Sequence, residues 1–285
     1  MSLSGGLGNQ LFQLAAAISL SDTLGCGVGV FVEPNLPGNT PRELELQSLL
    51  GPGVEVVSSK QVSTWHEEQW GYDDRFWQIE RGTHLVGGFQ SWRYALPAAS
   101  RIRQGLFRSD SFSRGFESIQ GEKVIACHLR RGDYLSPRAR LHHGFTRARW
   151  HVKAVSALRE KLGMNRVRIF SESTCISRLM AFRLGSASRA PSDANALETL
   201  GELAACSGFS LSNSSLGWWG AFLSSEALGT PGSVIAPSQW FLGRQIRIED
   251  LLPSGWQLMP KALTAGLAGN GRKILRHLAH YARIR

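Results

Sequence analysis

From residue 122 onward the chain alternates short apolar runs with amphipathic stretches, a pattern that few architectures accept. Lys123 to Leu129 (KVIACHL) reads as a buried strand. Thr146 to Leu162 has helical period, with Trp150, Ala154, Ala157, Leu158 and Leu162 on one side. Strand character returns over Arg166 to Ser171, Phe209 to Ser212 and Ser233 to Ala236. Helices are expected over Thr174 to Leu184, Asn195 to Cys206 and Leu216 to Ala227. Strands separated by helices in this way argue for an α/β fold built on a parallel sheet.

The first part of the chain shows a weaker version of the same alternation. A glycine-rich turn (Gly5, Gly6, Gly8) leads into an amphipathic helix from Asn9 to Leu24, with Leu11, Leu14, Ala15, Ile18 and Leu20 on its apolar face. Gly27 to Val32 follows as a buried strand. Short strands are expected at Val54 to Val57 and His84 to Gln90, and a helix from Pro97 to Phe107 with Pro97 at its first position. A chain of 285 residues has room for two such units. The expected architecture is therefore two Rossmann-like halves facing a central cleft, residues 1–121 and 122–260, followed by a basic tail, 261–285. There is no internal repeat of fixed period. Trp65, Trp70, Trp77 and Trp92 crowd one stretch of the first half. They can serve as packing under a loop-rich region or as a platform for sugar rings.

The formal charge is +10, and 26 of the 32 basic residues are arginine. Guanidinium groups bind phosphate oxygens in pairs, so this excess points to phosphate. Its position narrows the choice. Residues 128–149 carry net +5 and residues 261–285 net +6, so the rest of the chain sums to −1. A nucleic acid would track a diffuse basic surface, and no helix-turn-helix, zinc-finger or RNP aromatic signature accompanies the charge. A non-enzymatic nucleic-acid binder is thus the distant alternative. In the tail, Leu275, Leu278, Ala279 and Ala282 lie at helical spacing opposite a basic face, which suits docking on an anionic membrane surface. A tail helix packed on the first half is the competing reading.

No apolar run approaches the ~18 residues of a membrane span, and the N-terminus lacks the charged and apolar regions of a secretory signal. Cys26, Cys127, Cys175 and Cys206 are far apart and not in zinc-ligand spacing. They are expected to be buried, reduced thiols in a cytoplasmic protein.

Three blocks carry the chemistry. His128-Leu129-Arg130-Arg131-Gly132-Asp133-Tyr134 follows directly on a buried strand, and ligands of open α/β sheets bind beyond the carboxyl ends of strands. Asp133 can orient Arg131 across the glycine. Ser212-Asn213-Ser214-Ser215-Leu216-Gly217-Trp218-Trp219-Gly220 also follows a strand and opens a helix, a natural anion site, although simple capping by Ser214 or Ser215 uses the same residues. An arginine site and a helix site in one half suit a diphosphate. Gly5-Gly6-Leu7-Gly8-Asn9-Gln10 is neither a G-x-G-x-x-G fingerprint nor a P-loop, yet it lets backbone approach a ligand closely. No D-x-D pair and no metal-spaced cluster occurs, so arginines would have to stabilise a departing diphosphate in place of a metal.

Taken in order, GGLGNQLFQ, HLRRGDY, FSES, SNSSLGWWGAFL and VIAPSQW resemble glycosyltransferase family 11, the α-1,2-fucosyltransferases, from about Gly5 to Trp240. Gly88-Phe89-Gln90-Ser91 and Tyr94 resemble a further family segment. The resemblance implies a GT-B fold, a GDP-β-L-fucose donor, and metal-independent, inverting transfer to a galactoside hydroxyl in a glycan that can be lipid-linked. It further implies that Arg130 and Arg131 hold the diphosphate and that Asp133 orients them or faces the sugar. His128, Asn213, Ser214 and Ser215 would complete the phosphate side, and Glu198 would pair with guanine. Asn9 and Gln10 would approach the fucose or pyrophosphate. Asp133 and His143 are the candidate general bases by residue type. The chain departs from the family at Leu11 and Leu14, where Met and Tyr are usual, at Glu172-Ser173 in place of paired aspartates, and at Leu216-Gly217 before the paired tryptophans. A transferase using another nucleotide sugar or acceptor is the nearer alternative.

Overall fold

The computed structural model describes residues 1–32, 46–59, 63–130, 146–185, 188–189, 195–228, 233–242 and 247–261. Arg131, Asp133, His143 and tail residues 262–285 lie outside the described residues.

The fold is mixed α/β with parallel sheets. Its largest sheet has six strands in the order β11-β10-β9-β6-β7-β8, every neighbouring pair parallel. These are β6 (Val124–His128), β7 (Arg166–Phe170), β8 (Ser188–Arg189), β9 (Gly208–Leu211), β10 (Val234–Pro237) and β11 (Gln257–Met259). Helices α5 (Ala148–Leu162), α6 (Thr174–Leu184), α7 (Ala196–Ala205) and α8 (Ser215–Leu228) fall between strands. The central strand β6 is buried along its whole length, because both of its faces are covered. On one face Ile125, Cys127 and Leu129 meet Trp150, Val155 and Leu158 of α5 and Met180 of α6. On the other, Val124 and Ala126 join a core containing Leu200, Leu203, Trp218 and Trp219 of α7 and α8.

From β6 the chain adds β7 and then β8 on one side. It then returns to place β9 on the other side of β6. Strand order therefore reverses between β6 and β9, where a crevice opens beyond the carboxyl ends in sheets of this kind. The register puts His128 level with both Leu211 and Phe170, so the residues after these three strands emerge on one rim.

The first part forms a three-stranded parallel sheet, β1-β2-β3, from β1 (Ser2–Leu3), β2 (Val28–Val32) and β3 (Val54–Val56). A parallel pair, β4 (Thr64–His66) and β5 (His84–Val86), lies beside it. The two-residue β1 holds because the terminal ammonium donates to the Gly29 carbonyl at 2.7 Å. Helix α1 (Leu7–Leu24) begins two residues earlier than its apolar period indicated, and it is not amphipathic. Fourteen of its residues are buried, because it packs both beside β1 and against α8. Phe12 wedges against Trp218 and Trp219 at centroid distances of 4.4 and 5.2 Å. Both tryptophans are fully buried, and truncating either is expected to cost on the order of 3–5 kcal/mol.

Several expected elements are shorter. The strand from His84 stops at Val86, and Pro97 does not open a helix. It separates α2 (Trp92–Ala95) from α3 (Ala99–Leu106), since a proline interrupts the backbone ladder. Helix α4 (Asp110–Glu117) packs on α7 so tightly that a Cβ at Gly201 would lie 2.1 Å from the Phe112 carbonyl. A short helix, α9 (Ile248–Leu251), precedes β11 and docks on α2, where Ser91 Oγ donates to the Asp250 carbonyl at 2.6 Å. Cys127 and Cys206 are buried, but Cys26 and Cys175 are exposed, contrary to expectation. Cys26 follows the left-handed Gly25 that ends α1, and Cys175 opens α6. All four are free thiols. No described helix is long and apolar enough to cross a membrane.

Candidate active site

The rim at the β6–β9 reversal brings the two phosphate-type blocks together through one hydroxyl. Ser212 Oγ donates to the His128 carbonyl at 2.7 Å and accepts the Arg130 N–H at 2.9 Å. It also lies 3.2 Å from Thr146 Oγ1. Thr146 is 2.7 Å from His151 Nε2, and His151 Nδ1 is 2.9 Å from Ser210 Oγ. The Ser212 proton is given to the His128 carbonyl, so the Thr146 hydroxyl is the donor in its bond to Ser212. Arg130 thus stands on a relay running back into the sheet. Ser212→Ala removes the bonds that this hydroxyl makes with the Arg130 N–H, Thr146 Oγ1 and the His128 carbonyl. A loss of about 3 kcal/mol in urea unfolding is expected. An unchanged midpoint would show that the relay holds nothing.

The Arg130 guanidinium reaches Glu172, just past β7, at 3.1 Å. Both side chains keep some contact with solvent, at 24% and 47% exposure, so the pair orients the arginine more than it stabilises the fold. His128 is buried with its ring against α8, where a Cβ at Gly217 would sit 2.9 Å from Nδ1. Burial pushes its pKa down to about 4, with Glu172 pulling upward and Arg130 downward. The imidazole is therefore neutral at pH 7. Below about 6.5 the unfolded chain takes up a proton that the folded state refuses. Stability should fall as pH drops from about 6.5 towards 4, and His128→Asn should flatten that part of the urea-midpoint profile. An identical slope in the variant would contradict the assignment.

The glycine block arrives at the same place from the other end of the chain. Gly8 lies against the first turn of α8. A Cβ there would fall 2.5 Å from both the Leu216 nitrogen and the Ser215 carbonyl carbon. The N-termini of α1 and α8 therefore meet. Helix α1 has Gly6 at its cap with no side-chain cap bond, and neither helix has an acidic residue in its first turn. Each N-terminus presents N–H groups that lack partners within the helix, and roughly half a positive charge. With Arg130 close by, the arrangement can bind an anion with several oxygens.

Asn9 and Gln10 have separate roles. Asn9 Oδ1 accepts from Gln90 Nε2 at 3.0 Å, and the left-handed Gly5 (φ +74°) leaves room for its amide. Gln10 is buried and donates to the Gly5 carbonyl at 3.0 Å, so it shapes the turn. Gln13 bonds the Ser4 N–H through Oε1 at 2.9 Å and the Gly87 carbonyl through Nε2 at 3.0 Å, tying the glycine turn to the segment after β5. There Glu67 Oε2 accepts from Gly88 and Phe89 N–H at 2.7 and 3.1 Å. Burial raises the Glu67 pKa, and the two backbone bonds lower it. Phe89 has φ +49°, a strained value for an aromatic residue, and is held there by this bond and by Trp65, whose ring stacks on it at 5.8 Å.

Asn213 is buried and donates to the Trp240 carbonyl at 2.8 Å, fixing the loop after β10. Ser214 caps α8 through its carbonyl, which accepts the Trp218 N–H at 2.9 Å, and Ser215 opens the helix. Glu198 sits in the first turn of α7, where Asn195 accepts its N–H at 2.8 Å and its backbone lies against Gly115 of α4. Its contacts run to α4. Gln13, Glu67, Gln90, Thr146, His151, Glu172 and Ser210 were not singled out in the sequence. Gln13, Gln90 and Glu172 lie inside quoted blocks, which are possible signals. Three of the four clustered tryptophans are packing residues. Trp65 stacks on Phe89, Trp77 bonds Tyr72 Oη at 2.7 Å, and Trp92 bonds the Glu249 carbonyl at 2.9 Å. Trp70 is exposed, edge-on to Phe241.

The chain is 24% identical over 295 residues to an alpha-1,2-colitosyltransferase of Escherichia coli, covering 91% of this chain and 98% of that protein. Its fold is similar to the crystal structure of NodZ alpha-1,6-fucosyltransferase soaked with GDP-fucose, with a TM-score of 0.50 at 15% identity over 78% of this chain and 90% of that one. The same enzyme co-crystallized with GDP gives 0.48 at 14% identity over the same shares. The model of glycosyl transferase family 11 matches residues 84–242, from β5 through both blocks of the rim to the loop after β10. Because that match spans more than half of its length, the chain belongs to glycosyltransferase family 11.

Proposed function

We propose that this glycosyltransferase moves L-fucose from GDP-β-L-fucose to the 2-hydroxyl of a galactoside, with inversion to an α-linkage, in the synthesis of a surface glycan. One observation carries the reading: Arg130 and the N-termini of α1 and α8 meet at the β6–β9 reversal. In this reading residues 1–121 and 122–260 are the two Rossmann-like units of a GT-B enzyme. The diphosphate lies on the first turn of α8 at Ser214 and Ser215, with Arg130 and Arg131 taking up the charge that develops on GDP as the anomeric carbon–oxygen bond breaks. Asn9 stands on the sugar side, and Asp133 or His143 supplies the base. Glu198 is the proposed guanine partner. The protein would work at the cytoplasmic face of the membrane, with the basic tail, 261–285, touching anionic lipid. Thermal-shift comparison of GDP, UDP and CDP tests the nucleotide, and transfer from GDP-fucose to a galactoside array with linkage analysis tests the reaction. Stabilisation by UDP rather than GDP, or a linkage other than α-1,2, would overturn it.

A second reading follows from the curated relative, whose name specifies transfer of colitose. Colitose is fucose without its 3-hydroxyl, so the same diphosphate site serves either donor. Side-by-side kcat/KM values with the two GDP-sugars decide between them.

A further inference from the structure

Two unfavourable features converge on the turn between β5 and α2. Phe89 is an aromatic residue held at φ +49°. Glu67 gives one carboxylate oxygen to the Gly88 and Phe89 N–H groups at 2.7 and 3.1 Å, while its other oxygen is buried without a hydrogen bond. Backbone strain and an unsatisfied buried oxygen persist only where the surroundings impose them, and both gather at sites that act on a ligand. What the turn delivers is Gln90. Its Nε2 donates to Asn9 Oδ1 at 3.0 Å, which fixes the orientation of both amides. Asn9 Nδ2 is left as a donor and Gln90 Oε1 as an acceptor, and neither has a hydrogen-bond partner among the described residues. Both residues are partly exposed. Asn9 directly follows Gly8, which lies against the first turn of α8 at Ser215 and Leu216. The amide pair therefore stands next to the seat proposed for the diphosphate.

A donor and an acceptor on two amides bonded to each other suit neighbouring hydroxyls of a sugar ring, one accepting from Asn9 and the other donating to Gln90. We propose that the Asn9–Gln90 pair reads adjacent hydroxyls of the sugar carried by the nucleotide donor, with Gln90 as a specificity-determining residue and Glu67 as its positioning residue. The proposal rests on the donor reading above and adds which group of the sugar is recognised. Fucose linked to GDP has hydroxyls at C2, C3 and C4, so every adjacent pair includes the 3-hydroxyl, the group that colitose lacks. With colitose one of the two amides would lose its partner, and a site built to bond a hydroxyl rejects the analogue without it.

The test is calorimetric titration of GDP, GDP-fucose and GDP-colitose into the full chain and into Gln90→Met, which keeps the length of the side chain and removes its polar atoms. The wild-type chain should bind GDP-fucose about tenfold more tightly than GDP-colitose. Gln90→Met should bring the two donors to about the same affinity, with GDP binding and the urea midpoint retained. Glu67→Ala should lose the same preference, and Glu67→Gln, whose amide oxygen can still accept from Gly88 and Phe89, should recover it. Should Gln90→Met fail to fold, Asn9→Ala carries the same expectation. Equal affinity of the wild-type chain for the two donors, or a variant that still prefers GDP-fucose, overturns the proposal and leaves the nucleotide reading standing. So does a parallel loss of GDP affinity, which would make the turn a support of the phosphate site alone. Unchanged donor affinities with a raised KM for the galactoside would assign the pair to the acceptor and overturn it as well. If the wild-type chain binds neither GDP-sugar, or binds GDP-colitose more tightly, the fucose reading falls and the proposal falls with it.

Discussion

Arg130→Ala is expected to lower kcat/KM on the order of 10²–10³-fold while leaving the urea midpoint nearly unchanged. The two effects separate because Arg130 is tied to the fold through its backbone. Its N–H is the group that bonds Ser212, and alanine keeps that bond. The guanidinium itself meets Glu172, whose side chain is 47% exposed and can return to water at little cost. What the side chain supplies is positive charge at the carboxyl end of β6, where a departing diphosphate would gather negative charge. Arg130→Lys keeps the charge but loses the planar fork, and it should recover only part of the rate. Direct titration should show weaker GDP binding in Arg130→Ala. GDP affinity equal to wild type would remove Arg130 from the phosphate site.

Gly8→Ala should lower both stability and activity, and the magnitude follows from what the methyl group meets. Its contacts would be backbone atoms of Ser215 and Leu216 at 2.5 Å, which no rotamer change can relieve. Helices α1 and α8 would have to separate, disturbing the packing of Phe12 on Trp218 and Trp219. Overpacking against rigid backbone is expected to cost about 3 kcal/mol or more. GDP affinity should fall at least tenfold, because the two helix termini would no longer face one ligand. The contrast with Arg130→Ala is informative, since one variant loses binding with the fold intact and the other loses both. A Gly8→Ala protein with wild-type unfolding and GDP affinity would show that the two termini do not share a ligand.

The sheet was legible because β6 is a continuous apolar run that ends in a polar block, and such a run identifies a strand covered on both faces, while the shorter β9, interrupted by Ser210, ends in a second polar block. The positions of Arg130 and of Ser212 to Ser215 past the strand ends followed from this alone. Their common dependence on Ser212 did not, because the hydrogen bond joins residues far apart in sequence and leaves no local pattern. Gly8 is a similar case. Its partner lies more than 200 residues away, and the sequence showed only that a turn was possible. Helix α1 was misjudged as one-sided because Ala15, Ala16 and Ala17 look alike whether they face a core or a neighbouring helix. His151 stands among apolar neighbours on α5, where its sequence context resembles packing, and only the structure shows it bonded at both nitrogens. Glu67 carries no motif, and its role depends on a strained residue after β5.

A crystal structure with GDP should show diphosphate oxygens within hydrogen-bonding distance of the Arg130 guanidinium and of the Ser215 and Leu216 N–H groups, with Gly8 in van der Waals contact. A diphosphate seated away from Arg130 and the first turn of α8 would contradict the assignment of this rim as the donor site.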